Sequence, residues 1–292
     1  MKPKVLVIIP TFNHEELLNY SVASVLSQTY KNFEIFIIGD GAGEKTRRIV
    51  EKLRRRDKRI IFFDHPKGER HGEIYRHMAL KKAKGDIISY LADDDLWLPN
   101  HLETVVNEIS GYDFVNTLPI KINTDGNPRT WKVDLGESSF VKLHLAGTNR
   151  LPICFVSHTM KFYRRLPYGW RTAPKNIPTD LYMWKQCLKQ RDVRLKSINK
   201  VTAFHFPTPQ RTSWTNKERV RELEKWSNKI RSRKFMQEIV DIVFDEVARD
   251  RAKLDIKLRE NILILEVRRI ANQMADLPLV GAGIRKVAQV IS

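Results

Sequence analysis

The sequence predicts an α/β protein: a largely parallel sheet with helices on both faces, followed by a helical C-terminal appendage. Three observations predict it. Apolar runs alternate with helical patterns through the first half of the chain. The first run, Val5-Leu-Val-Ile-Ile9, is continuously apolar and rich in β-branched residues, as in a strand buried on both faces. Polar clusters at Pro10-Thr11, Gly39-Asp40-Gly41 and Asp93-Asp94-Asp95 fall where successive strands end, which in open parallel sheets is where ligands bind.

The elements follow in order. After the first strand, Asn13 is placed as a helix cap, with Glu15 and Glu16 in the first turn and Leu17, Val22, Val25 and Leu26 on the apolar face. Phe33–Ile38 reads as the second strand, Glu44 to Arg56 as a helix with a charged outer face, and Ile60–Phe63 as the third strand. Glu73–Lys84 reads as a helix closed by Gly85 as its C-cap. Ile87–Leu91 is a fourth strand running into the acidic triplet. Further strands are expected at Tyr112–Asn116 and Cys154–Tyr163, and a helix from Thr179 to Lys189. From about Asn216 charged residues recur at helical spacing, which divides the chain into an α/β domain over residues 1–215 and a helical region over 216–292. Within that region Leu277–Ile291 has an amphipathic pattern suited to an interface, with another subunit or with anionic lipid.

Composition narrows the class. The chain has 292 residues, 42% of them hydrophobic, enough for a packed core. Two cysteines, Cys154 and Cys187, provide neither a disulfide framework nor a zinc cluster and fit a reducing compartment. No apolar stretch is long enough for a bilayer span, so the expectation is a cytoplasmic protein, at most peripheral to the inner face of the membrane. The net charge of +18 favours polyanionic partners without choosing among nucleic acid, anionic lipid and phosphorylated substrates.

The three clusters carry the chemistry. Adjacent carboxylates repel and raise one another's pKa, and a divalent ion such as Mg²⁺ or Mn²⁺ relieves this. The alternative for Asp95 is a helix cap before Leu96-Trp97-Leu98-Pro99. Asp40, between two glycines, reads either as a plain tight turn or as an acceptor for a nucleobase N–H. No G-x-G-x-x-G follows the first strand, so a dinucleotide fold is not indicated.

Together the motifs Val7-Ile-Ile-Pro-Thr-Phe-Asn13, Ser24-Val-Leu-Ser-Gln-Thr-Tyr30, Phe36-Ile-Ile-Gly-Asp-Gly41, Ala83-Lys-Gly-Asp86 and Tyr90-Leu-Ala-Asp-Asp-Asp-Leu-Trp-Leu-Pro99 resemble the inverting, family-2-like GT-A glycosyltransferases. The order and spacing match over about the first 110 residues, with weaker similarity to about residue 215. The resemblance implies a Rossmann-like GT-A sheet. It implies a nucleotide-sugar site formed by Pro10, Thr11, Phe12, Asp40 and Asp93, with His71, Arg76 and Arg211 alongside. It implies a D-x-D-like site at Asp93 and Asp94, with Asp94 as the Mn²⁺ or Mg²⁺ ligand, Asp93 toward the ribose and Asp95 behind them or as a cap; Asp95 and His205 are the further candidate metal ligands. The chain departs from the family's usual pattern at Gly39, His77 and Ala92.

Inversion requires a base for the acceptor hydroxyl. Asp180, in Pro178-Thr-Asp-Leu-Tyr-Met-Trp184, matches the family's position for it. A helix N-terminus there is expected to depress its pKa, and the bland alternative is a first-turn acid behind a Thr179 cap. The segment Ala203–Trp214 reads either as a loop reaching the diphosphate through His205 and Arg211, with Trp214 stacked on a sugar, or as a basic loop packed by its aromatics. The expected partners are a nucleotide-sugar donor, UDP-linked by default, and a saccharide or lipid-linked acceptor. Peripheral membrane contact and oligomer formation are compatible; nucleic acid is not expected. Two rivals stand beside this reading. A sugar nucleotidyltransferase should carry a Gly-rich basic loop where Pro10-Thr11-Phe12-Asn13 stands, and a basic nucleic-acid binder should show a recognised motif.

Overall fold

A computed structural model describes residues 2–275, with side chains only partly described beyond residue 249. The elements run β1 (Val5–Thr11), α1 (Leu17–Leu26), β2 (Phe33–Asp40), α2 (Glu44–Arg56), β3 (Ile60–His65), α3 (Glu73–Lys82), β4 (Ile87–Tyr90), β5 (Leu96–Trp97), α4 (His101–Glu108) and β6 (Phe114–Thr117). They continue with β7 (Ile120–Ile122), β8 (Pro128–Thr130), α5 (Ser138–Ala146), β9 (Val156–Thr159), α6 (Met160–Tyr163), α7 (Thr179–Leu188), β10 (Leu195–Ile198), β11 (Ala203–Phe204), α8 (Asn216–Lys229) and α9 (Arg233–Ala275).

The main sheet has the order β10-β6-β9-β4-β1-β2-β3. All neighbours pair in parallel except β9, which runs antiparallel between β4 and β6. This is the GT-A arrangement expected from the motifs. Alternation along β1 explains its unbroken apolar run: Val5, Val7 and Ile9 face one core with Leu18 and Val22 of α1, while Leu6 and Ile8 face the other with Ala79 and Leu80 of α3. Strand order reverses between β1 and β4, since the chain moves outward through β2 and β3 and then returns to the other side of β1. In open sheets such a reversal is where a ligand crevice is expected, beyond the carboxyl ends of β1 and β4, and Thr11 and the triplet stand there.

Several local expectations are corrected. Asn13 lies in a bend and caps nothing; α1 starts at Leu17 behind Glu16, with no side-chain cap. Gly85 does not close α3, which ends at Lys82 with Ala83 extended. A Cβ on Gly85 would come within 3.1 Å of Leu6 Cβ, so its smallness serves close passage past β1 instead. Cys154–Tyr163 is not one strand but a 3₁₀ turn over Ile153–Phe155, then β9, then α6, capped by the Thr159 side chain. The triplet is followed by β5, which pairs with β11, so Asp95 caps no helix.

The compact first unit runs on through α8 to Val243, and a second begins at Phe244 within α9. α8 begins with a capping box: Thr215 accepts from the Glu218 N–H, and the Glu218 carboxylate accepts from the Thr215 N–H. The amphipathic segment Leu277–Ile291 lies outside the described residues. Among the described residues no helix is long and apolar enough to cross a membrane.

The core is fixed by a buried polar junction. Tyr90 Oη accepts from Trp170 Nε1 at 3.0 Å and donates to His158 Nε2 at 2.7 Å, while His158 Nδ1 faces the Thr159 carbonyl at 3.2 Å. Tyr90→Phe leaves two buried groups unpaired and is expected to cost about 1–3 kcal/mol, read from the denaturant midpoint. Burial pushes His158 down to about 4 and His101 down to about 3. Both are neutral in the fold, so each contributes stability that is complete above the unfolded pKa near 6.5. That stability is lost as pH falls through the window from about 6.5 to the folded values. Urea titrations at pH 7 and pH 5 are expected to differ by about 2 kcal/mol per buried histidine, the lower pH being less stable.

Candidate functional site

Pro10 and Thr11 end β1, in register with Ile38 and Gly39 of β2. Thr11 is buried with its hydroxyl unpartnered, and Phe12 stands exposed beyond it. Asp40 ends β2 and is buried. Its two oxygens are already engaged, by Lys67 Nζ at 2.6 Å and by the Gly68 N–H at 2.7 Å. Lys67 Nζ also lies 5.1 Å over the Phe12 ring. A Cβ on Gly72 would stand 2.6 Å from Asp40 Cγ, and Gly72 takes φ 61°, so both space and backbone require glycine there. The residue 66–72 loop therefore closes over Asp40, and a nucleobase would have to exchange with the Lys67 contact.

Behind this loop the α3 N-terminus holds two charged groups that are almost wholly enclosed. Glu73 accepts from the His71 N–H at 3.1 Å, Thr179 Oγ1 at 2.9 Å and, at 3.4 Å, the Ala173 N–H. Burial opposes the ionised form, but these hydrogen bonds and the Arg76 charge outweigh it and lower the Glu73 pKa. Arg76 is 4% exposed, packs 4.8 Å over Trp170, and donates from Nη2 to the His71 carbonyl at 2.9 Å. Its Nε and Nη1 are buried without partners. Burial lowers the Arg76 pKa, opposed by the charges of Glu73, Asp40 and Asp180. His71 itself is exposed at the rim and contributes through its backbone.

The triplet follows β4 and is buried throughout. Asp93 Oδ1 pairs with His14 Nδ1 at 2.9 Å, while Asp93 Oδ2 is buried without a partner. Asp94 Oδ2 accepts from Thr208 Oγ1 at 2.9 Å and from Arg219 Nη2 of α8. Arg219 Nη1 lies 2.8 Å from His14 Nε2. A guanidinium only donates, so Nε2 accepts there and Nδ1–H donates to Asp93, the neutral tautomer. Burial would lower the His14 pKa, but its hydrogen bond to Asp93 and the Asp93 charge outweigh burial and raise it. That tendency opposes the Arg219 contact, and the contact geometry fixes the neutral form. Asp95, wholly buried, accepts from the Phe206 N–H at 2.8 Å and from His205 Nδ1 at 3.0 Å.

The potential metal ligands thus fall into two sets. Ligand atoms of His14, Asp93 and Asp94 lie within 4.8 Å of one another, and so do those of Asp95, Cys154 and His205. Asp94 groups with Asp93, and Asp95 with His205, because Asp95 bonds His205 and the Phe206 N–H, the two residues that follow β11. The hard oxygen donors and the orphaned Asp93 Oδ2 of the first set fit a divalent cation. Burial lowers the His205 pKa, but the Asp95 charge and hydrogen bond, with the charges of Asp94 and Asp180, outweigh it and raise it.

Asp180, in the first turn of α7, is partly buried, with Oδ1 accepting from Asn149 Nδ2 at 2.8 Å and from the Leu181 N–H at 2.8 Å. The expected depression of its pKa is overturned: burial raises it, more than those hydrogen bonds lower it. Thr179 is the first helical residue rather than the cap. Arg211 is also corrected as a diphosphate ligand. It is wholly buried, donates to Glu222 at 2.6 and 2.7 Å and to the Ile122 carbonyl at 2.9 Å, and serves to pin α8 to the β7 region. Trp214 lies 5.3 Å from that guanidinium and belongs to the same packing.

Five residues that sequence reasoning passed over now join the site: His14, Lys67, Glu73, Asn149 and Arg219. His14 offered a signal, since it follows the polar end of the first strand directly. Arg219 offered none, being one of many charges at helical spacing.

A GalNAc(5)-diNAcBac-PP-undecaprenol beta-1,3-glucosyltransferase of Campylobacter jejuni is 32% identical over 128 residues, covering 43% of this chain and 40% of that protein. The chain spans less than half the length of the curated relatives it matches. Among solved structures, S. aureus TarS 1-349 in complex with UDP-GlcNAc superposes with a TM-score of 0.58 at 18% identity, over 94% of this chain and 80% of that one. The mannosyltransferase PcManGT from Pyrobaculum calidifontis, in complex with GDP-Man and Mn²⁺, gives 0.53 at 16% identity, over 70% of this chain and 57% of that one. These likenesses are of fold. The glycosyl transferase family 2 profile matches residues 6–169, the stretch that builds β1 to α6 and places Asp40, Arg76 and the acidic triplet, and the chain belongs to that family.

Proposed function

We propose that the protein transfers a sugar from a nucleoside-diphosphate sugar, UDP-linked, to a hydroxyl of a saccharide or lipid-linked acceptor, with inversion. The observation that carries the reading is the buried acidic triplet, with the unpartnered Asp93 Oδ2, at the end of β4 where the strand order reverses. The UDP-GlcNAc bound by the TarS structure and the lipid-linked substrate named for the Campylobacter relative support the donor and acceptor classes.

Asp40 accepts the base, Thr11 and Pro10 form the nucleoside wall, and Arg76 directs its unpaired N–H groups toward the anionic part of the donor. A Mn²⁺ or Mg²⁺ ion held by Asp94 and Asp93 would neutralise charge developing on the departing diphosphate. Asp180 takes the proton of the acceptor hydroxyl as that oxygen bonds to the anomeric carbon, from the face opposite the leaving group. Its raised pKa strengthens it as a base, while Asn149 and the Leu181 N–H keep it ionised and aimed. On this reading the protein works on the cytoplasmic side of the membrane bearing its acceptor, with its basic surface toward anionic lipid. Co-sedimentation with phosphatidylglycerol liposomes that vanishes at high salt is the expected result, and no sedimentation at low salt refutes that placement.

Asp180→Asn is expected to lower kcat by about 10²–10⁴ while UDP still raises the melting temperature as in wild type. Unchanged turnover removes Asp180 from the role. Asn149→Ala removes a hydrogen bond that lowers the Asp180 pKa, so the acidic limb of the kcat–pH profile should move to higher pH. A limb that stays in place shows that another group is titrating.

A further inference from the structure

The His14–Asp93–Asp94 pocket already holds a cation that belongs to the chain. Arg219 enters from the first turns of α8, reaches Asp94 with Nη2, meets His14 Nε2 with Nη1 at 2.8 Å, and lies 3.5 Å from Thr208 Oγ1. Arg219, Asp93 and Asp94 are each 6% exposed. One guanidinium against two enclosed carboxylates leaves the set a charge short, and Asp93 Oδ2 is the atom without a partner. A divalent ion would supply that charge, yet it needs the Asp94 oxygen that Arg219 grips. Two cations crowded there in a desolvated pocket repel strongly.

We propose that Arg219 is the resident counter-cation of the acidic site, holding Asp94 until a divalent ion binds and then releasing it. The inference rests on the donor-site reading above and adds a competitor contributed by a helix beyond the residues matched by the family. The rest of α8 is independently secured, by Arg211 against Glu222 and by Trp226 packed edge-on to Phe204 at 5.1 Å. Release of Arg219 therefore loosens the start of α8 without detaching the helix. Occupancy of the acidic site is in this way communicated to a segment that contributes nothing else to the nucleotide crevice.

The test is a titration of Mn²⁺ alone, followed by the electron-spin resonance of the free ion, into wild type, Arg219→Gln and Arg219→Lys. R219Q is expected to bind Mn²⁺ about tenfold more tightly than wild type, with R219K between them. Equal or weaker binding by R219Q overturns the proposal. Circular dichroism checks the fold of each variant, and a measurement on wild type needs no variant. There, hydrogen exchange in residues 216–220 should rise on adding Mn²⁺ with UDP, and unchanged exchange also overturns the proposal. Calorimetry with UDP separates the two failures: UDP bound with no effect of Arg219 sinks only this inference, whereas no UDP binding by wild type sinks the donor-site reading.

Discussion

Three consecutive carboxylates enclosed at the end of β4 constrain everything around them. Each is desolvated, and each must find positive charge or donated hydrogen bonds within the fold. Asp95 is satisfied by His205 and the Phe206 N–H, which fixes β11 against β5. Asp94 is satisfied by Thr208 and Arg219, which draws α8 to the mouth of the crevice. Asp93 is satisfied on one oxygen only, by His14. The same electrostatic demand thus assembles the site and leaves one acceptor over.

The other end of the crevice shows a comparable economy. Glu73 and Arg76 sit enclosed on the first turns of α3. Glu73 reaches across to Thr179 beside Asp180, while Arg70 donates to the carbonyls of Lys175 and Ile177. The loop that covers Asp40 is therefore tied to the segment that presents Asp180. Arg70 takes φ 55°, a left-handed conformation rare for a non-glycine residue, within this strap. The Asp40 loop and the start of α7 are thus joined by polar contacts, so their spacing depends on directional bonds.

Much of this was legible in the linear chain. β1, β2, α2 and α7 follow directly from apolar runs and charged helical faces, because burial on two sheet faces demands periods that a sequence displays. The strand-end positions of Thr11, Asp40 and the triplet were legible for the same reason. Asn13 and Gly85 misled because each suits a cap by type, while the conformation actually adopted was set by neighbours far along the chain. Asp180 shows the same limit: its place on α7 was visible, but its raised pKa depends on burial by segments that only folding brings together.

The sequence by itself determined the sheet, the order of its elements and the carboxyl-end location of the acidic residues, since these depend on local periodicity and on connection rules. Only the tertiary structure decided which charges meet. Arg211, a plausible anion ligand by type, turns inward to Glu222, while Arg219, indistinguishable from its helical neighbours, enters the acidic pocket. Pairing energies depend on distance and desolvation, whether the partners stand 11 positions apart, as Arg211 and Glu222 do, or 125, as Arg219 and Asp94 do, and those quantities exist only once the chain has closed on itself.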